Sequence, residues 1–242
     1  MRSQAEQQTT SEGETKVKKQ MLISIKKKFV FFSNPKCGTT SIEARLSPLC
    51  EISINGTRDG KHLKPSDFTS WETLLRQYHS CEKLLKICTT RHPIEKLISW
   101  YTYRSRPELK IKNSQRYLGN TDFSEWCRQE MKKDCDEWFF QSSNDKLDVD
   151  IVVPIKYIYK LEKLFSNLFC KNIKFPSKNA SPNRKDLFST SELYKLAERE
   201  LKYAHPSFYH RIKMHHQIEA ICSKANALED INFNEELFSQ SL

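Results

Sequence analysis

Glycine is scarce in this chain, at 5 of 242 residues, so each glycine is expected to serve a particular turn or close approach of the backbone. Although there are 8 cysteines, no two form a Cys-x-x-Cys pair and none stands at zinc-finger spacing from histidines, which excludes the common zinc modules. Nothing approaches the roughly 18 consecutive apolar residues of a membrane-crossing helix. The opening stretch, Met-Arg-Ser-Gln-Ala-Glu-Gln-Gln, has no apolar core of the secretory kind. There is no Walker A sequence, no carboxylate cluster of metal-binding type, no internal repeat and no long linker. Together these absences lead to an expectation of a cytoplasmic protein with reduced thiols, most of them small buried apolar residues, and no metal.

The length suits one domain, with residues 1–20 read as a disordered polar tail and 21–242 as the folded unit. A hydrophobic fraction of 38% is enough for a core. The formal charge is +10, from 40 Lys and Arg against 30 Asp and Glu. Such a surface attracts phosphates, sulfated sugars, nucleic acid or acidic membranes alike. The basic residues are interleaved with acids rather than gathered in a run, which counts against nucleic acid as the partner.

Apolar patterning organises the rest. Phe29-Val-Phe-Phe32 is continuous and β-prone, as a strand buried on both faces should be. The Lys26–Lys28 run before it marks solvent. A loop and a helix over Thr40–Leu46 follow. Leu84–Thr90 reads as a second strand leading through Arg91-His-Pro93 into a helix, with Ile94, Leu97, Ile98 and Tyr101 on one apolar face. Val149–Val153 and Ile155–Tyr159 read as further strand, broken by Pro154. Leu161–Leu168 and Ser191–Tyr203 read as helices. Strands alternating with helices predict an α/β domain with a mainly parallel sheet.

Strand, then Ser33-Asn-Pro-Lys-Cys-Gly-Thr-Thr-Ser41, then helix, is a physical recipe for holding phosphate. A helix N-terminus offers unpaired N–H groups and the positive end of the dipole. Gly38 permits a tight curve close to the ligand. Cys37 lends its backbone N–H, Thr39, Thr40 and Ser41 add hydroxyls, and Lys36 adds a mobile charge. A second strand–helix junction carries Arg91 and, eight positions on, Ser99, which lies away from the apolar face. An arginine's forked donors suit a phosphate at the carboxyl end of a strand.

Pro35-Lys-Cys-Gly-Thr-Thr-Ser41 resembles the 5′-phosphosulfate loop of sulfotransferases that use 3′-phosphoadenosine 5′-phosphosulfate (PAPS). Arg91-x-Pro-x-x-Lys96-x-x-Ser99-x-Tyr101 resembles that family's 3′-phosphate motif, with Lys96 where arginine is usual. The likeness is to the branch of Golgi carbohydrate sulfotransferases and their bacterial and viral relatives. It implies a P-loop-like three-layer fold, PAPS as donor, and adenosine 3′,5′-bisphosphate as product. It implies an acceptor hydroxyl on a glycan or similar polar molecule.

The resemblance also assigns roles. Lys36 neutralises the leaving 5′-phosphate, while Arg91 and Ser99 fix the 3′-phosphate. Lys61–Phe68 resembles the segment carrying a histidine base, making His62 the candidate, with Glu43 its rival. Asp136–Gln141 resembles a substrate-side segment, and Tyr157–Glu162 a strand ending in a structural glutamate. Asn179-Ala-Ser181 resembles a nucleotide-side loop, with Arg184 and Lys185 within reach of phosphate. Tyr203–Tyr209 matches a closing helical segment but lacks its aspartate. His92, next to Arg91, reads as part of the helix cap. Three other readings compete: a P-loop-like kinase or NTPase, a basic nucleic-acid-binding protein, and a PAPS-fold binding module without a base.

Overall fold

The computed structural model describes residues 20–55, 63–79, 83–111, 115–133, 139–141, 146–176 and 190–238. The strands are β1 (Gln20–Ser24), β2 (Phe29–Phe32), β3 (Ile52–Asn55), β4 (Leu85–Thr90) and β5 (Ile151–Pro154). The helices are α1 (Thr39–Leu46), α2 (Thr69–His79), α3 (Pro93–Arg104), α4 (Pro107–Ile111), α5 (Phe123–Met131), α6 (Ile158–Phe169), α7 (Thr190–Glu200), α8 (Pro206–Lys224) and α9 (Phe233–Phe238).

The sheet has five strands in the order β3-β1-β2-β4-β5. Its β2-β4-β5 half is parallel, with Phe32 opposite Cys88 and Cys88 opposite Val152. Its other half is antiparallel, β1 pairing with both β2 and β3. The fold is therefore α/β with a mixed sheet, parallel where the sequence predicts strands and antiparallel at an edge it does not reveal. The Lys26–Lys28 run forms the turn between β1 and β2, with Lys28 at φ 52. All four residues of β2 are buried, which explains their unbroken apolar character.

One predicted element differs from expectation. Ile155–Tyr159 is not strand: β5 ends at Pro154, a 3-10 turn covers Ile155–Tyr157 and α6 starts at Ile158. The repeat of apolar positions there follows a helical face, with Leu161, Leu164 and Phe165 buried. Glu162 consequently lies on a helix rather than at a strand end. It accepts from the Phe175 N–H at 2.8 Å and from Lys174 Nζ at 2.9 Å, tying α6 to the segment that follows it.

The buried side chains fall into two clusters. One surrounds the sheet, where Phe29 packs against Phe165 of α6 with ring centres 5.1 Å apart. The second is purely helical and gathers Ile94 and Ile98 of α3, Phe123, Trp126 and Met131 of α5, Leu193 of α7 and Phe208 of α8. Helix starts follow capping chemistry. The Asp122 carboxylate accepts from the N–H groups of Ser124 (2.8 Å) and Glu125 (3.3 Å) to open α5. Pro93 and Pro206 occupy the first turns of α3 and α8, where a missing N–H costs nothing. Among the described residues no helix is long and apolar enough to cross a membrane.

Candidate functional site

The loop from β2 to α1 leaves the sheet beside the junction of β4 and α3, because β2 and β4 are parallel neighbours. Both junctions thus open on the carboxyl edge of the sheet, where α/β folds place their ligands. The loop turns tightly. The Asn34 N–H donates to the Phe32 carbonyl at 3.1 Å and the Cys37 N–H to the Asn34 carbonyl at 3.3 Å. Lys36 and Gly38 both adopt left-handed backbone, at φ 64 and φ 74. At Gly38 an added Cβ would make only ordinary contact with Ile155, 3.6 Å away. The glycine is needed for its φ, not for space.

Gly38 is the residue before α1, and no side chain caps that helix. Its first turn holds no acid. An uncapped, acid-free helix start is what an anion requires. Thr39 is buried, while Thr40 and Ser41 are half-buried. The loop is bound to its neighbour strand twice: Asn34 Nδ2 donates to the Thr89 carbonyl at 2.9 Å, and Thr89 Oγ1 donates to the Cys37 carbonyl at 2.8 Å.

Lys36 extends toward α3. Its ammonium lies 4.6 Å from the Tyr103 ring centre and 5.5 Å from that of Trp100. The Arg104 guanidinium covers Trp100 at 5.4 Å, and that of Arg106 covers Tyr103 at the same distance. Arg91 is a quarter exposed, its Nε 3.8 Å from Glu95 Oε2, a loose pairing that leaves the guanidinium available. Lys96 Nζ donates to Asn34 Oδ1 at 3.0 Å. A cleft of about 180 Å³ opens beside Arg91, its polar and aromatic lining including Asn34, Thr90, Lys96, Trp100, Glu130 and Arg211; Lys36, Tyr103, Arg104 and Arg106 are not part of that lining.

The sequence candidates distribute unevenly over this site. Lys36, Cys37, Gly38, Thr39, Thr40, Ser41 and Arg91 stand at the two junctions. Ser99 is half-buried on α3 and is not part of the cleft lining, whereas Lys96 is. His62, Arg184, Lys185 and the Asn179–Ser181 loop lie outside the described residues. Of the Asp136–Gln141 segment, Phe139 and Phe140 line the cleft, and Gln141 is buried and bridges to Leu147.

Glu43 is fully buried and accepts from the Ser33 hydroxyl at 2.5 Å, so it braces the loop from beneath. Cys37 is buried too, and burial pushes its thiol pKa up against the pull of Lys96, Arg91 and Lys36. Burial thus works against the thiolate form that a nucleophile needs. His92 does not cap α3 with its side chain. Its ring packs instead against His215 and His216, both with centres 5.3 Å away, and against Tyr194 at 5.9 Å.

Asn34, Trp100, Tyr103, Arg104 and Arg211 are site residues that sequence reasoning misses. Lys96, Trp100 and Tyr103 share one face of α3 by their spacing, a signal present in the sequence. Arg211 reaches the cleft from α8, and no local pattern announces it. Among the described residues no group of His, Cys, Asp and Glu is arranged to hold a metal ion. No protein-family model, curated protein or solved structure matches this chain.

Proposed function

We propose that this protein is a PAPS-dependent sulfotransferase of P-loop-like architecture, moving a sulfuryl group to an acceptor hydroxyl on a glycan or another polar molecule. The observation that carries the reading is the pair of cationic strand–helix junctions on adjacent parallel strands. One has an uncapped helix start and Lys36, the other Arg91 and Lys96. Two separated anion sites suit a nucleotide phosphorylated at both its 3′ and 5′ positions. The residues present fit such a donor: left-handed Gly38 keeps the loop open over the α1 N–H groups, and Arg91 is only loosely paired.

PAPS supplies an activated sulfuryl group whose departure leaves charge on the 5′-phosphate. The chain's part is positioning and electrostatics. Lys36, the α1 N–H groups and the Thr39–Ser41 hydroxyls stabilise that charge. Arg91, just before α3, with Ser99 on that helix, holds the 3′-phosphate and so sets the donor's register. His62 remains the candidate base, since a histidine titrates near neutrality. Glu43 is a poorer choice because it is buried beneath the loop and engaged by Ser33. A kinase or NTPase reading would want a carboxylate at a strand's carboxyl end, and β4 and β5 end in Thr90 and Pro154.

Calorimetry tests the donor. Adenosine 3′,5′-bisphosphate is expected to bind below millimolar concentration without Mg²⁺, and Arg91→Ala to weaken it about 10- to 100-fold, the worth of a charge-assisted pair. Tighter, Mg²⁺-dependent binding of ATP would sink the reading. For the base, His62→Ala should lose turnover with labelled PAPS yet keep its affinity for the bisphosphate. Surviving turnover would remove His62 from the mechanism.

A further inference from the structure

Asn34, in the β2–α1 loop, is hydrogen-bonded to both β4 and α3, and all four of its polar groups are engaged. Its N–H and C=O close the loop on Phe32 and Cys37. Its side chain, 1% exposed, donates to the Thr89 carbonyl and accepts from Lys96. The orientation of the amide is fixed by chemistry, because an ammonium only donates and a carbonyl only accepts. One continuous chain of bonds therefore runs from Lys96 on α3, through Asn34, to the backbone of the loop and to β4. Lys96 lines the same cleft as Arg91, one turn into the helix that Arg91 precedes.

We propose that Lys96 and Asn34 form a clamp that couples the two phosphate sites, so that filling either one raises affinity at the other. The proposal rests on the donor reading above. The physical basis is the lysine's donor count. An ammonium has three N–H groups, and the bond to Asn34 uses one. A phosphate beside Arg91 engages another and stops the lysine side chain from roaming, which firms the bond to Asn34. Asn34 in turn holds the curve that presents the α1 N–H groups and Lys36 to the second phosphate. The same chain works in reverse, since coupling between binding sites is reciprocal. Lys96 and Asn34 are positioning residues in this scheme, each acting on the site it does not itself form.

The test is a set of titrations by calorimetry with adenosine 5′-monophosphate, adenosine 3′-monophosphate and adenosine 3′,5′-bisphosphate. The proteins are wild type, Lys96→Met, Lys96→Arg, Asn34→Ala and the Lys96→Met/Asn34→Ala double variant. Asn34→Ala is expected to weaken the 3′-monophosphate about tenfold, although that ligand leaves the loop empty. Lys96→Met is expected to weaken the 5′-monophosphate about tenfold, with recovery in Lys96→Arg, which keeps a donor. The double variant should bind the 5′-monophosphate no worse than the poorer single variant, because both changes cut one chain.

Losses that multiply to about a hundredfold in the double variant would mean two independent electrostatic effects and would overturn the clamp. So would a 3′-monophosphate constant unchanged in Asn34→Ala. Lys96 is half-buried on a helix surface, so its variants remain readable if Asn34→Ala fails to fold. In that case an unchanged 5′-monophosphate constant in Lys96→Met overturns the proposal. Wild-type protein that binds no bisphosphate overturns the donor reading and the clamp with it. Bisphosphate binding with independent sites overturns the clamp alone.

Discussion

Lys36→Met is expected to lower turnover about 10²- to 10³-fold, the usual cost of removing one group aimed at developing charge. The same change should weaken adenosine 3′,5′-bisphosphate only about tenfold, because ground-state binding starts from a lysine that already has partners. Its ammonium rests over Tyr103 and Trp100, 4.6 and 5.5 Å from the ring centres. Leaving those rings gives up part of what a phosphate contact gains. In the proposed transfer step, charge would collect on the leaving oxygen, where a full positive charge would have its greatest effect. Initial rates with saturating labelled PAPS, set beside calorimetric affinity, separate the two effects. Equal losses in rate and affinity would show that Lys36 only holds the donor.

Acid should destabilise the protein through His215. This residue is 2% exposed, and burial, reinforced by His92 and His216 and by Lys156, lowers its pKa to about 3. Burial and the nearby His216 lower that of His92 to about 4. Around them stand Tyr194 from α7, Glu219 from α8 and Lys156 after β5, with Glu219 the one acid whose charge counters the shift at His92. Both imidazoles are neutral in the folded protein at neutral pH.

The unfolded chain takes up their protons near pH 6.5, while the folded one resists until about 4 and about 3. Stability is therefore complete above about pH 6.5 and falls as the pH drops through that window. Allowing for the partial exposure of His92, the loss by pH 4 is on the order of 5 kcal/mol. Urea unfolding at pH 7.5 and at pH 4 measures it. In His215→Phe, which keeps an aromatic ring and removes the titrating group, the gap between the two pH values should shrink by about half. An unchanged gap would assign the acid sensitivity to carboxylates elsewhere.

The parallel half of the sheet and its two junctions were legible because their signals are local. Phe29–Phe32 is unbroken and apolar, Leu84–Thr90 runs into Arg91-His-Pro93, and helices follow both. The β1–β3 edge was hidden for the opposite reason. Gln20–Ser24 and Ile52–Asn55 are short, and their strand character comes from pairing with each other rather than from their own composition. Ile155–Tyr159 misled because a run of β-branched and aromatic residues after Pro154 carries β propensity, while the helical period of buried residues shows only further on, at Leu161, Leu164 and Phe165.

The site divides in the same way. Gly38 and Arg91 announce themselves through neighbours in sequence. Asn34 matters through contacts with Thr89 and Lys96, 55 and 62 positions away, and Arg211 enters the cleft from a helix near the end of the chain. His92 is the N-cap residue of α3, as its position suggests, its carbonyl accepting from the Lys96 N–H at 2.9 Å, but its ring is claimed by two histidines more than a hundred residues downstream, which no local pattern announces.

The two separate cores give the molecule a seam, and the site straddles it. β2, β4 and α1 are rooted in the sheet's core, whereas α3, bearing Lys96 and following shortly after Arg91, is rooted in the helical one. A helical cluster of this kind can loosen as a cooperative unit without unzipping the sheet. Each such opening dismantles the Arg91 side and leaves the Lys36 loop standing. A ligand of the proposed kind, gripping both sides, would work as a rivet between the two clusters and make such openings of α5 and α7 rarer.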